Sequence, residues 1–475
     1  MRRVTATRIA YGIGMAAVGV VLNTFNMFLL FYYQQVLGLE ASLCGIALFV
    51  ALLVDAVTDP LVGVLSDRTR SRFGRRHPYM FASIMPLAIC FYAVFRPPSG
   101  LGQVGLFGWL LTFVVGARVA LTLFTIPHQS LVAELASSPE ERVSLQSLRT
   151  SAAWLFGLFN AVMVFAVMLP PTPQHPNGLG HPAGYGNLAI WGATIIMIAT
   201  AVGSFGTIRT TLARGAQREA SPQTSPQLWS EVRAAWTNRS YRGAVLGGLA
   251  LTVAVGFHDS LSNYVTSMFW GLSSDQISVL VVGIMGAAAG VMITARAVVS
   301  RIGKRLAAVL GCLLVAITWP TMVALRISGA LPPPGDPWLV ALLVLASVIV
   351  YYGMILGMTM VGAMIADITD EHELATGTRQ EGLLFSAYTF LAKASSGLGI
   401  LVSGVALKIA GVAEGAAGTI QDPDAVARLV FIQVLVIALL CTSAIAGVRG
   451  FRLHGVAHAR VLEALRARRR TTPKL

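Results

Sequence analysis

Long apolar runs separated by short polar breaks dominate this chain. A helix needs about 20 apolar residues to cross a bilayer. On that rule the pattern predicts twelve spans, at roughly 9–36, 41–66, 78–96, 103–133, 144–169, 187–208, 242–270, 276–299, 305–326, 338–366, 381–411 and 427–449. The break from about 209 to 241 divides them six and six. It holds SPQTSPQ and then LWSEVRAAW, where Leu228, Trp229, Val232 and Trp236 share one helical face. Such a face suits a short helix on the membrane surface or one packed on protein. The expected organisation is an N-terminal six-helix bundle over 1–208, a linker over 209–241, a C-terminal bundle over 242–449 and a basic tail over 450–475.

Composition agrees with the pattern. The 475 residues are 55% hydrophobic and only 12% charged, about half the ~25% of a soluble domain. The expected class is an all-α polytopic membrane protein with twelve transmembrane helices. The net charge of +14 matters through its placement. Arg68, Arg70, Arg72, Arg75 and Arg76 crowd one loop. More arginines fill the central break and the tail, while the alternate loops offer only Arg96, Arg326 and Arg428. Basic loops stay inside, so both termini are expected in the cytoplasm and the chain in the inner (plasma) membrane. The basic residues therefore do not point to nucleic acid; some in the tail are expected to touch anionic lipid. Cys44, Cys90, Cys312 and Cys441 all fall in predicted spans without metal spacing, and read as buried thiols. The start MRR resembles a signal n-region, but the apolar run after it is long enough to be span 1.

Two acids stand out against this background. Asp55 and Asp59 lie inside span 2, where a carboxylate costs on the order of 2.5–3.5 kcal/mol. Spacing i, i+4 puts both on one face, close enough to share a ligand. A cation site is the functional reading, and a salt bridge to Arg118 of span 4 is the structural one. Asp55 and Arg118 both lie roughly 21–22 Å into their spans at 1.5 Å per residue. One arginine does not neutralise two carboxylates, which favours the cation. Lys393, one of four lysines, sits within span 11, where it is expected either in a fixed ion pair or coupled to a moving charge. His128, His258 and Asp259 are further polar groups at membrane depth, expected with Asn23, Tyr264 and Tyr388 to line the solute cavity. Each of these also suits ordinary helix packing.

Four stretches then carry a resemblance. DAVTDP precedes GVLSDRTRSRFGRR after span 2, and IPHQSLVAEL precedes ERVSLQSLR between spans 4 and 5. DITDEHELATGTRQEG follows span 10, and Lys393 lies in span 11. Together they resemble the glycoside–pentoside–hexuronide:cation symporters of the major facilitator superfamily. The resemblance implies the major facilitator fold, two six-helix halves around a central cavity, and alternating access. It also implies a cation site at Asp55, Thr58, Asp59 and Thr122, a metal site if the ion is sodium and a proton site otherwise. Arg149 matches an arginine of the substrate cavity. Gly19, Thr125 and Gln129 stand where the family has two sugar-gripping acids and a stacking tryptophan, so galactosides are expected to bind poorly. Asp67, Arg68, Arg75, Arg76 and Glu134 are expected to form a gating charge network at the inner surface. Loop VSRIGKR, from Val299 to Arg305, echoes the first basic loop in the second half.

The expectation is thus a cation-coupled symporter of a small organic solute, a sugar or glycoside, acting as a monomer without a cofactor. A lysolipid or amphiphile symporter is the alternative, since DAVTDPLVG also resembles the vertebrate lysophosphatidylcholine symporters. No nucleotide-binding, GxSxG, HExxH or CxxC motif points to a pump or enzyme. A lipid-modifying membrane enzyme would need His128, His258 and Asp259 around one reacting centre. A non-transporting scaffold would have no use for the paired acids.

Overall fold

A computed structural model gives the architecture. It describes residues 2–136, 139–173, 175–215, 236–376, 381–416, 421–453 and 456–471. Among these every regular element is a helix. Spans 1 to 7 run Thr5–Val36, Ala41–Arg68, His77–Val94, Gln103–Ser130, Ser144–Met168, Pro182–Ala213 and Arg239–Phe269. Span 10 is Pro337–Leu374, span 11 Ala387–Ala410 and span 12 Pro423–Val448. Between spans 7 and 10 lies one run of 54 residues, Ser274–Ile327, broken at Gly303. At 1.5 Å per residue it measures roughly 80 Å, more than two bilayer cores. Gly303 adopts φ 77°, a conformation that glycine takes without strain. Thr294 and Gly311, on either side of the break, both meet span 10, at Tyr352 and Gly353. The chain therefore reverses at Gly303, and the run supplies spans 8 and 9. The twelve expected spans are all present. Of the expected surface helix, Leu228, Trp229 and Val232 lie outside the described residues. Trp236 is exposed.

The chain forms two compact units. The first comprises Met1–Pro222, Asp259–Val281 and Ile400–Leu429; the second comprises Gln223–His258, Val282–Gly399 and Val430–Leu475. The first unit thus holds spans 1 to 6 with one end each of spans 7, 8, 11 and 12. Small residues set the helix spacing within it. Gly19 of span 1 lies against Ala153 and Gly157 of span 5 so closely that a Cβ there would stand 2.2 Å from the Ala153 carbonyl oxygen. Close backbone approach of this kind is how helices associate where solvent cannot drive burial. In the second unit, Val245, Met360, Met364, Ile368 and Leu384 form an apolar cluster. A tail helix, Val456–Thr471, follows span 12.

Candidate cation and solute site

Span 2 presents Asp55 and Asp59 on one face, as their spacing requires, and span 4 brings Thr122 to them. Asp55 is 4% exposed and Thr122 1%. The Thr122 hydroxyl oxygen lies 2.8 Å from Asp55 Oδ1 and 2.9 Å from Asp59 Oδ1. A hydroxyl has one hydrogen to donate. It satisfies one carboxylate oxygen, and the second close contact calls for a positive charge or a proton shared between the acids. Arg118, one turn earlier on span 4, places Nη1 3.7 Å from Asp55 Oδ2. Its guanidinium also lies 5.8 Å from the centre of the Phe25 ring. Asp55, Asp59 and Arg118 by themselves sum to a formal charge of one negative unit. Pro60 follows Asp59 and has no N–H to give the Ala56 carbonyl, which adds a backbone acceptor within a turn of both acids. Thr58 contributes less than expected, because its hydroxyl donates to the Asp55 carbonyl at 3.2 Å.

The expected solute residues divide. Arg149 Nη1 donates to Gln129 Oε1 at 3.0 Å in an exposed pair linking spans 5 and 4. Thr125, one turn before Gln129, is half-buried. Asn23 is half-buried, with its amide 3.4 Å from Met27 Sδ. Three expectations need correction. Gly19 does not line a cavity, since its Cα faces the backbone of span 5 and the site has no room for a side chain. His128 is fully buried, stacked on Tyr11 at 4.3 Å and beside Phe124 at 4.9 Å. It is a packing residue in this conformation. Tyr264 is also fully buried, and its hydroxyl lies 3.1 Å from both the Leu30 carbonyl and Gln34 Oε1, tying the end of span 7 to span 1.

His258 belongs to the second unit, where it packs edge-on against Trp319 and Tyr351. Asp259, its neighbour in sequence, belongs to the first unit and is half-buried. Tyr388 packs beside Gly248, and Lys393 is half-buried in span 11.

The gating acids and arginines do meet. Arg75 lies 3.2 Å from Glu134, and Arg76 lies 3.4 Å from Glu134 and 3.3 Å from Asp67. Burial lowers the pKa of Arg76. Arg68 is exposed at the end of span 2. The second half repeats the arrangement with different chemistry. Lys304, just after the Gly303 turn, donates to both Asp367 oxygens at 2.6 and 2.7 Å near the end of span 10. His458 of the tail helix joins it, 3.1 Å from Asp370 and 3.7 Å from Asp367.

Sequence reasoning missed a further cluster, at the other ends of the spans. Lys408 lies 2.5 Å from Glu40, which also accepts from Ser42. Gln34 and Gln35 donate to the carbonyls of Val412 and Ala413, and Gly415 N–H donates to the Gln34 carbonyl. Adjacent glutamines at the end of an apolar run were the available signal.

A family model described as MFS/sugar transport protein matches residues 10–454. The chain belongs to this family. An uncharacterized symporter of Synechocystis is 25% identical over 84% of each chain. The isoprimeverose transporter of Lactiplantibacillus pentosus is 23% identical over 84% of this chain and 78% of its own. A sodium-dependent lysophosphatidylcholine symporter of Danio rerio is 31% identical, but over only 30% of this chain and 27% of its own. Among solved structures, a bacterial homologue of the iron transporter ferroportin in an inward-facing state superposes with a TM-score of 0.62 at 13% identity, covering 94% of this chain and 98% of its own. This MFS member therefore has the all-α major facilitator fold and is a secondary transporter.

Proposed function

We propose that this MFS transporter is a symporter that couples one unit of positive charge, carried by sodium or a proton, to a small solute of the sugar or glycoside class. The observation that carries the reading is the single Thr122 hydroxyl lying between Asp55 and Asp59, with Arg118 alongside. One monovalent cation offsets the negative charge summed over Asp55, Asp59 and Arg118. That lowers the cost of closing the site off from water. The two six-helix halves then exchange access, and both ligands leave on the other side of the plasma membrane. Coupling is the difference in each ligand's affinity for the two states, and it is reciprocal. Arg149 and Gln129 supply charged and amide donors to solute hydroxyls. Lys393 is assigned to communication with the cation site. The solute is the partner, lipid surrounds the spans, and both termini face the cytoplasm.

The sugar class is supported by the isoprimeverose transporter matching over most of both chains, whereas the lysolipid symporter matches less than a third. The amphiphile alternative rests on the resemblance of DAVTDPLVG, a stretch that carries Asp55 and Asp59 and no expected solute residue. Uptake of a panel of labelled glycosides into proteoliposomes, driven by a sodium or proton gradient, tests the proposal. Asp55→Asn and Asp59→Asn should each abolish gradient-driven accumulation while the protein still inserts. Normal accumulation by either variant would show that the site is misassigned.

A further inference from the structure

Spans 1 and 7 end alike. Leu37 N–H reaches back five residues to the Tyr32 carbonyl at 3.0 Å, and Leu39 N–H reaches the Tyr33 carbonyl at 2.8 Å. In span 7, Trp270 N–H reaches the Val265 carbonyl and Leu272 N–H the Thr266 carbonyl, both at 3.0 Å. Each wide turn leads to a glycine of positive φ, Gly38 at 75° and Gly271 at 67°, and then to a buried leucine. Wide turns of this kind are rare in helices and are frequent at functional places. The two turns differ in what they display. Gln34 and Gln35 are both fully buried, and the matching positions of span 7 are Ser267 and Met268. The turn itself therefore does not require amides.

The glutamines grip the chain at the end of span 11. Gln34 Nε2 lies 3.4 Å from the Val412 carbonyl oxygen and 3.3 Å from that of Ala413. Gln35 Nε2 lies 2.8 Å from the Ala413 carbonyl oxygen and 2.6 Å from Gln34 Oε1. Gly415 N–H donates to the Gln34 carbonyl at 2.9 Å, and Gln421 Nε2 donates to Gln35 Oε1 at 3.3 Å. The Tyr264 hydroxyl donates to Gln34 Oε1 at 3.1 Å. Backbone meets backbone beside them, since a Cβ on Gly404 of span 11 would stand 2.4 Å from the Ala41 carbonyl oxygen. All of these residues lie in the first unit. The grip runs largely from side chain to main chain, so it holds the path of the chain after span 11. Buried amides persist only when they are hydrogen-bonded. The contact is therefore either closed and dry or open and hydrated, which makes it a two-state element.

Spans 1 and 11 are both odd in order, so Val36 and Ala410 end on one face of the membrane, opposite the loop that carries Arg68 to Arg76. We propose that Gln34 and Gln35 form a clasp that closes the outer entrance of the transporter, and that solute exchanges with the outside only when the two amides release the end of span 11. The inference rests on the transporter reading, but it needs neither the cation site nor the identity of the solute.

Cys44 is a native reporter of the clasp. It is fully buried in span 2, its Sγ lies 3.9 Å from the Leu39 carbonyl oxygen, and it is within electrostatic reach of Glu414 and Tyr264. The test follows its alkylation by a water-soluble maleimide on the purified full-length protein carrying Cys90→Ala, Cys312→Ala and Cys441→Ala. Each hydrogen bond lost shifts a closed–open equilibrium by roughly two- to tenfold. Gln34→Ala combined with Gln35→Ala should therefore raise the alkylation rate about ten- to hundredfold, and Tyr264→Phe about two- to tenfold. Tyr264→Phe removes one hydroxyl and keeps the ring, so it decides the matter where the double variant does not fold. In a second background that keeps only Cys312, buried in the second unit, the same changes should leave the rate unaltered. A Cys44 rate equal to the parent's in a folded variant would overturn the proposal, as would an equal rise at Cys312, which would mean general loosening. No solute enters this assay, so a failure of glycoside uptake would count against the proposed function and leave the clasp result standing.

Discussion

Thr122→Val probes the centre of the cation site with the smallest available change. The two side chains have nearly the same shape, so packing is kept and one hydroxyl is lost. That hydroxyl is 1% exposed and lies within 2.9 Å of both carboxylate oxygens. A hydrogen bond to a charged group is worth about 1.5–3 kcal/mol. At 1.4 kcal/mol per factor of ten, that is a roughly ten- to hundredfold change in cation affinity. The direction depends on the ion. Sodium would lose an oxygen ligand and bind more weakly. A proton would bind more tightly, because the hydroxyl no longer stabilises the charged carboxylate. Melting temperature of the purified protein, titrated with sodium at fixed pH and then with pH in the absence of sodium, separates the two. A variant that is folded and unmoved in both titrations would refute the claim that Thr122 holds the cation pair.

Other outcomes follow from the same geometry. Lys393→Ala should leave a stable protein whose solute binding no longer responds to the cation; unchanged coupling would exclude the assigned role. Gly19→Ala should destabilise the first unit by about 1–3 kcal/mol, because its Cβ meets the Ala153 carbonyl, and a melting temperature equal to wild type would contradict the packing. Glu40 is held below its usual 4.5 by hydrogen bonds from Lys408 and then Ser42. A depressed carboxylate contributes above its unfolded pKa and stops contributing as pH falls through its folded one. The Glu40–Lys408 contact should therefore persist at neutral pH and open below pH 4.5, with Glu40→Gln lacking that acid response in cross-linking of a Cys pair placed at neighbouring positions that leave Glu40 and Lys408 in place.

Much of the fold was legible because its rule is local. Apolar length marks each span, and i, i+4 spacing alone put Asp55 and Asp59 on one face. Depth counting also paired Arg118 with Asp55, because two helices crossing one slab share a coordinate. Facing direction was not legible. Gly19 aligned with a cavity position and turned out to be a contact with span 5, since a missing side chain and a helix packing point look identical in sequence. Tyr264 and His128 were read as lining because polar groups at membrane depth suggest function; burial depends on neighbours far along the chain. Lys304 with Asp367 and Lys408 with Glu40 join residues 63 and 368 positions apart, and no periodicity reports such pairs.

The single-residue reversal at Gly303 also constrains how the protein is made. Spans 8 and 9 have almost no connecting chain between them, so neither can settle in the lipid while the other waits in water. They must enter the membrane together, as a preformed helical hairpin whose insertion is one event. A residue with a side chain at that hinge would therefore act first on biogenesis, lowering the yield of inserted protein before any effect on transport became measurable.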